Sequence, residues 1–163
     1  MSFYNQISKG YYELYGEEQF KKLAIIKNNL DIKKNDLLLD VGCGTGISSQ
    51  FDCKVVGLDP SIKLLNYKNK AKINSIAEKL PFKDNIFDFV ISITAIHNFN
   101  DIEKSFKEIK RVGRNKFVFS ILRNSKKFDE IENLIKKYFN IKEIIEEDKD
   151  TIFFAKKWIK NQN

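Results

Sequence analysis

The chain has 163 residues, 42% of them hydrophobic and 31% charged, with a formal net charge of +7. That length suits one domain with its own core, and no apolar run approaches the ~20 residues of a bilayer-spanning helix. Two cysteines, Cys43 and Cys53, and one histidine, His97, exclude a disulfide framework and a histidine-rich metal site, so no metal is expected.

Two helical candidates precede residue 36: residues 3–14, rich in aromatics, and about 17–30. From residue 36 onward, short apolar runs alternate with amphipathic stretches, the pattern of α/β domains. Residues 36–41 read as a buried strand and 54–58 as the next. A short helix over 61–69, opened by a serine cap, follows. A weaker strand is predicted at 73–77. The continuous apolar run over 86–93 predicts a strand buried on both faces. Residues 101–112 read as a helix, with Asp101 near its start and lysines near its end, as the helix dipole favours. A strand over 116–122, a helix over 128–139 and two closing strands over 141–146 and 151–155 complete the chain, with the acidic turn Glu147-Asp148-Lys149-Asp150 between the last two. Pro60 and Pro81 are the only prolines and nothing resembles a linker, so residues 1–163 read as a single domain with 1–35 as an amino-terminal helical segment. Helices, then alternation, then two terminal strands predict a doubly wound sheet with an antiparallel finish.

Three of the seven glycines, Gly42, Gly44 and Gly46, fall within five residues directly after the first strand, in the run LLLDVGCGTG. A glycine-rich turn at the carboxyl end of a first parallel strand lets a ligand approach the backbone. Free amides there can receive a carboxylate or phosphate. Dinucleotide binders usually carry G-x-G-x-x-G, but Ile47 stands where that pattern wants its last glycine, and the spacing is D-x-G-x-G-x-G over residues 40–46. Asp59 ends the second strand in VVGLDPS. A carboxylate at that strand end can accept hydrogen bonds from both ribose hydroxyls of an adenosine group.

With these residues the sequence resembles the class I S-adenosylmethionine-dependent methyltransferases. Four segments match in order over nearly the whole chain: LLLDVGCGTG, VVGLDPS, AEKLPFKDNIFDFVIS and IKRVGRNKFVFSI. The resemblance implies a Rossmann-like sheet of seven strands, mostly parallel, with the last strand antiparallel and helices on both faces. It implies S-adenosylmethionine as cofactor and S-adenosylhomocysteine as product. Asp40 and the backbone of Gly42, Cys43, Gly44 and Gly46 would surround the methionine part. Asp59 would hold the ribose, Pro60 would lie near the adenine, and the backbone of Ala77 and Glu78 would run along the adenine edge. Ser92 and Thr94 would approach the methionine amino group or the transferred methyl. Two features depart from the pattern. Ile76 stands where relatives often carry an acid that contacts the adenine amino group. Only residues 47–52 separate the glycine loop from the second strand, so a helix there has one or two turns.

His97 follows the fourth strand and is the candidate general base or acceptor-orienting group; the alternative is a helix cap or packing under the loop. Tyr4, Tyr11, Tyr12 and Tyr15 are dense in one short stretch, and in similar enzymes this segment closes over the cofactor. Tyr4 is the lid candidate, and a helix packed on the sheet is the alternative. Arg123, after the fifth strand, either binds an anionic group on the acceptor or is solvated. Cys43 reads as a small loop residue rather than a nucleophile.

The charge raises the odds of an anionic partner such as RNA, although it is almost all lysine and also fits a solvated surface. No Asn-Pro-Pro-Tyr-like tetrapeptide follows strand four, and no long insertion covers the acceptor side. An open site suits an RNA or protein acceptor, and some similar small methyltransferases need a small activator protein. A small-molecule methyltransferase and a cofactor-binding scaffold are the alternatives. No signal-like segment opens the chain, so a cytoplasmic protein without a membrane partner is expected.

Overall fold

The computed structural model describes residues 3–47, 49–65 and 71–158, with the side chains of residues 3–15 outside the description. Helix α1 (Phe3–Asn29) leads into strands β1 (Leu37–Val41) and β2 (Lys54–Asp59), the one-turn helix α2 (Ile62–Leu65) and strand β3 (Ala71–Asn74). Strand β4 (Phe87–Ile93), a 3-10 turn at Ile96–Asn98, α3 (Ile102–Val112), β5 (Gly113–Leu122), α4 (Phe128–Tyr138), β6 (Asn140–Glu146) and β7 (Asp150–Lys156) follow. The seven strands form one sheet in the order β3-β2-β1-β4-β5-β7-β6. Pairs β1–β2, β1–β4, β2–β3 and β4–β5 are parallel, and β7 runs antiparallel to both β5 and β6. The strand order reverses between β1 and β4, so the carboxyl ends of those strands frame the crevice where open α/β sheets take ligands.

Alternate strand residues supply two cores. On one face Leu39, Val90, Phe117 and Phe119 pack with Phe106 and Ile109 of α3 and with Ile131 and Ile135 of α4. Phe106, Phe117, Phe119 and Phe139 form a ring cluster there with centroids 4.7–6.4 Å apart. On the other face Leu38, Phe89, Ile91 and Val118 pack with Leu23 and Ile26 of α1. All of β4 except the partly exposed Asp88 is buried, in keeping with its largely apolar run.

Three expectations are corrected. The two amino-terminal helices are one, because Gly16 sits at the expected break without breaking it: a mid-helix glycine costs only about 1 kcal/mol against alanine, and the packed carboxyl half offsets that. The third strand lies at Ala71–Asn74 rather than 73–77, pairing Val56 with Ala71 and Asp59 with Asn74. Residues 47–52 hold no helix among the described residues. Turns closed by Ser49 N–H to Gly46 O (3.3 Å) and Phe51 N–H to Ser49 O (3.1 Å) span the gap, because Lys54 must already pair with Leu37. The missing helix leaves an open cavity of about 400 Å³ beside Lys27, Phe51, Val55 and Lys72. Of the helix expected at 61–69, residues 62–65 are helical and 66–69 lie outside the described residues.

Candidate cofactor site

The glycine loop is bent by three consecutive left-handed glycines, Gly42 (φ 79°), Gly44 (φ 51°) and Gly46 (φ 84°). The N–H groups of Gly42 and Cys43 both donate to Leu58 O (2.7 and 3.0 Å), which seats the loop across the end of β2. A Cβ on Gly42 would lie 2.5 Å from Ala95 Cβ, so this glycine is required by close approach as well as by backbone conformation. A Cβ on Gly44 would meet nothing nearer than Leu64 Cδ1 at 4.0 Å. Space beside the loop is therefore open at Gly44, whose N–H meets Asp59.

Asp59 is nearly buried and holds the loop from the far side: Gly44 N–H donates to its Oδ2 (2.9 Å) and Ser61 N–H to its Oδ1 (2.8 Å). A carboxylate has about four acceptor sites, so these two bonds leave capacity for two hydroxyl donors. Asp40 is fully buried and accepts from Ser49 Oγ (2.6 Å). Pro60 is exposed beside Asp59, and Asn74 Nδ2 donates to both Asp59 O (3.1 Å) and Pro60 O (2.8 Å), fixing that strand end. These residues fit an adenosine group bearing an amino-acid tail: a backbone loop with open space beside it, a ribose-competent carboxylate and the exposed apolar side chains of Ile62, Leu64 and Ile76 in the segments after β2 and β3.

Cys43 is buried beneath the loop. Burial, helped by Asp40 and Asp59, pushes its thiol up to about 12, so it stays protonated and is no nucleophile.

The AEKLPF segment is held by side chains rather than by sheet pairing. Glu78 Oε1 accepts from Asn100 N–H (2.8 Å) and Asp101 N–H (3.1 Å), tying this segment to the start of α3. Glu108 Oε2 accepts from Leu80 N–H (2.8 Å). Arg111 donates to Leu80 O (2.9 Å), Phe82 O (2.7 Å), Asp84 and both oxygens of Glu108. The Arg111 guanidinium in turn holds the Glu108 carboxyl below its ordinary range. The backbone of Ala77 and Glu78 is thereby set rigidly after β3, with both residues buried.

At the end of β4, Ser92 Oγ donates to Val41 O (2.8 Å) and is fully buried, so its hydroxyl joins β4 to β1. Thr94 takes φ 53°, a conformation that costs a β-branched residue about 1–3 kcal/mol. Its hydroxyl faces Lys22 and Asp150 rather than the glycine loop. His97 sits in the following 3-10 turn, half-buried, with Lys127 Nζ donating to its carbonyl (3.1 Å). Its Nδ1 is buried without a hydrogen-bond partner among the described residues. Burial pushes the imidazole below its ordinary value, Asp150 opposes this and Lys127 adds to it.

The structure thus gathers Asp40, Gly42, Cys43, Gly44, Gly46, Asp59 and Pro60 at the adjoining ends of β1 and β2, with Ala77 and Glu78 beyond β3 and Ser92, Thr94 and His97 across the crevice. Tyr4, the lid candidate, has its side chain outside the described residues. Arg123 is exposed, as the solvated alternative expects: its N–H donates to Lys149 O (2.8 Å) and its guanidinium reaches Asp148 O and Glu146 across the turn between β6 and β7. Lys22, Arg111, Ser120 and Asp150 escaped the sequence reading. A signal existed for Lys22, which lies four residues before Ile26 on the buried stripe of α1.

No helix among the described residues is long and apolar enough to cross a membrane, and no group of three metal-ligating side chains occurs among them.

A family model described as a methyltransferase domain matches residues 39–120, 82 of the 163 residues. An uncharacterised protein of Methanocaldococcus jannaschii is 32% identical over 124 residues, covering 72% of this chain and 48% of its own. The mouse protein named probable tRNA methyltransferase 9B is 33% identical over 89 residues, covering 52% of this chain and 20% of its own. The chain spans about half the length, or less, of these curated relatives. A crystal structure from Haloferax volcanii, a complex of the Trm112 methyltransferase activator with a methyltransferase, superposes with a TM-score of 0.72 at 15% identity, covering 91% of this chain and 92% of that one. At that identity the likeness shows the shared fold.

Proposed function

The chain belongs to the class I S-adenosylmethionine-dependent methyltransferases, and from that premise we propose that it methylates RNA, working with a small activator protein. One observation carries the cofactor assignment: the left-handed glycine loop and the Asp59 carboxylate face one another at the ends of β1 and β2 and are hydrogen-bonded together through Gly44. The RNA acceptor is supported by the net charge of +7 and by the mouse relative's name. The activator is supported by the Haloferax complex.

When bound, S-adenosylmethionine supplies a methyl carbon activated by its sulfonium. Transfer of that methyl to an acceptor would leave S-adenosylhomocysteine and release the acceptor's proton, which a nearby base would have to receive. Asp59 would hold the ribose and the backbone of the glycine loop would lie against the amino-acid tail, so the reacting carbon would be aligned rather than chemically altered. His97, neutral near pH 7 because burial depresses its pKa, takes the acceptor's proton. The Glu78 and Arg111 contacts keep the segment after β3 in place and out of the reacting line.

The test incubates the purified chain and its Asp59→Ala variant with methyl-labelled S-adenosylmethionine and a cytosolic extract. Label in macromolecules that nuclease releases, present with the wild type and absent with the variant, is the expected result. Label released by protease makes the acceptor a protein, and label resistant to both makes it a small molecule. Cofactor binding without label in any fraction points first to a missing activator, and to a scaffold once an added activator protein fails to restore label.

A further inference from the structure

A buried ion pair lies beside the crevice. Lys22 of α1 and Asp150, at the first position of β7, are 1% and 0% exposed, with Nζ 3.0 Å from Oδ1. Such a pair is a poor stabilising device, because desolvating two charges consumes most of their attraction. Its remaining contacts say what it holds. Lys22 Nζ donates to Thr94 Oγ1 (3.0 Å), Thr94 Oγ1 donates to Asp150 Oδ2 (2.8 Å), and Ser120 Oγ donates to the same oxygen (2.8 Å). Ser120 Oγ and Ser120 O in turn accept from the Thr94 amide (2.9 and 3.2 Å). Both the amide and the hydroxyl of Thr94, a residue with left-handed backbone, are thus engaged. Strained backbone persists only where its surroundings over-determine it. The next residue, Ala95, is the one whose Cβ would collide with a Cβ on Gly42.

We propose that Lys22 and Asp150 are positioning residues of the cofactor loop: they lock the left-handed turn at Thr94, which holds Ala95 against Gly42. Neither touches the loop. They act through the turn, and so the seating of α1 on the sheet sets the shape of the cofactor site. This inference rests on the cofactor reading of the glycine loop.

The test replaces the pair together, K22M/D150L, so that no lone buried charge remains and Thr94 and Ser120 can hydrogen-bond each other. The probe is S-adenosylhomocysteine, titrated calorimetrically, with thermal denaturation in parallel. The expected result is a folded variant that binds about tenfold more weakly, an ordinary size for coupling between sites. Adding T94G should restore most of that loss, because glycine adopts the left-handed turn without a clamp; a merely structural role for the pair predicts no such rescue. Equal affinity in wild type and K22M/D150L, or a loss that T94G leaves in place, overturns the proposal. Should K22M/D150L not fold, S120A, which removes one acceptor of the Thr94 amide and no charge, takes its place with the same expectation. If the wild type itself binds no S-adenosylhomocysteine, the cofactor reading has failed. Amide exchange at Thr94 then decides the clamp separately: it quickens about tenfold in the variant if the pair locks the turn, and is unchanged if it does not.

Discussion

Gly42 and Gly44 share a left-handed backbone but not the space around it, and this separates their variants. Gly42→Ala meets both the φ penalty and Ala95 Cβ at 2.5 Å. It should lower unfolding stability by about 2–4 kcal/mol in urea titrations, since overpacking adds to backbone strain. Gly44→Ala meets only the φ penalty and should cost about 1–2 kcal/mol, yet weaken S-adenosylhomocysteine binding at least as much, because its new methyl stands in the open space beside the loop. Equal stability losses for the two would mean that Ala95 yields freely. His97 carries a different expectation. Its pKa is depressed, first by burial, so protonation switches it off only at a pH below the ordinary imidazole value. The acid limb of the rate profile should fall there and vanish in His97→Asn; a limb that survives the substitution removes His97 from the chemistry. The placement of Asp59 and the glycines at the adjoining ends of β1 and β2 was legible in the sequence, because position in a motif fixes it. Lys22 and Asp150 were not: a lysine in a helix and an acid in an acidic turn read as solvated, and only the packing of α1 on the sheet brings Lys22 to 3.0 Å from Asp150 at the start of β7. The contacts of the exposed Arg123 with the turn between β6 and β7 were not legible for a related reason, since those residues lie more than 20 positions away.

At the scale of elements, α3 does two jobs that its sequence shows only in part. Its buried stripe carries Ile102, Phe106 and Ile109. The basic end that reads as a favourable dipole partner is in fact the anchor of the segment 80–84 through Arg111. Arg111→Lys cannot reproduce a planar fork shared between two carbonyls and a carboxylate, and should cost about 1–3 kcal/mol, readable in chemical denaturation. The same helix is stapled to α4: Lys137 Nζ donates to Glu103 Oε1 (2.7 Å), and the Tyr138 hydroxyl donates to the same oxygen. These contacts hold the Glu103 carboxyl at about 2, against an ordinary 4.5. The folded pKa lies below the unfolded one, so the staple contributes above pH 4.5 and is lost as pH falls from 4.5 towards 2. Wild type should therefore lose stability more steeply than Glu103→Gln across that window; parallel slopes would show that the exposed staple is screened to nothing. Elements with strong period or unbroken apolar runs, β1, β4, α3 and α4, were legible within a few residues. The short β3 was displaced because its burial is partial throughout. The expected helix at 47–52 is absent among the described residues because a six-residue connection is consumed in returning the chain to Lys54.

For the whole molecule, the order β3-β2-β1-β4-β5-β7-β6 with an antiparallel β7 agrees with what the four motifs implied, since they follow one another along β1, β2, β4 and β5 and the chain can join those parallel strands in few ways. How the amino-terminal helix joins this sheet was not legible, because its docking depends on one buried ion pair as well as on Leu23 and Ile26. That dual attachment can be resolved energetically. Lys22→Met alone leaves Asp150 charged and fully buried, and should cost about 3–5 kcal/mol. Adding Asp150→Leu removes the orphan charge and extends the apolar seat under α1, so the double variant should recover to within about 1 kcal/mol of wild type in the same denaturation. If both variants are equally destabilised, the ion pair itself, rather than the apolar seat, holds α1 to the sheet. If recovery occurs while cofactor affinity stays low, stability and site geometry are separately encoded at one contact: the apolar stripe holds the helix down, and the charges determine what its position does to the turn after β4.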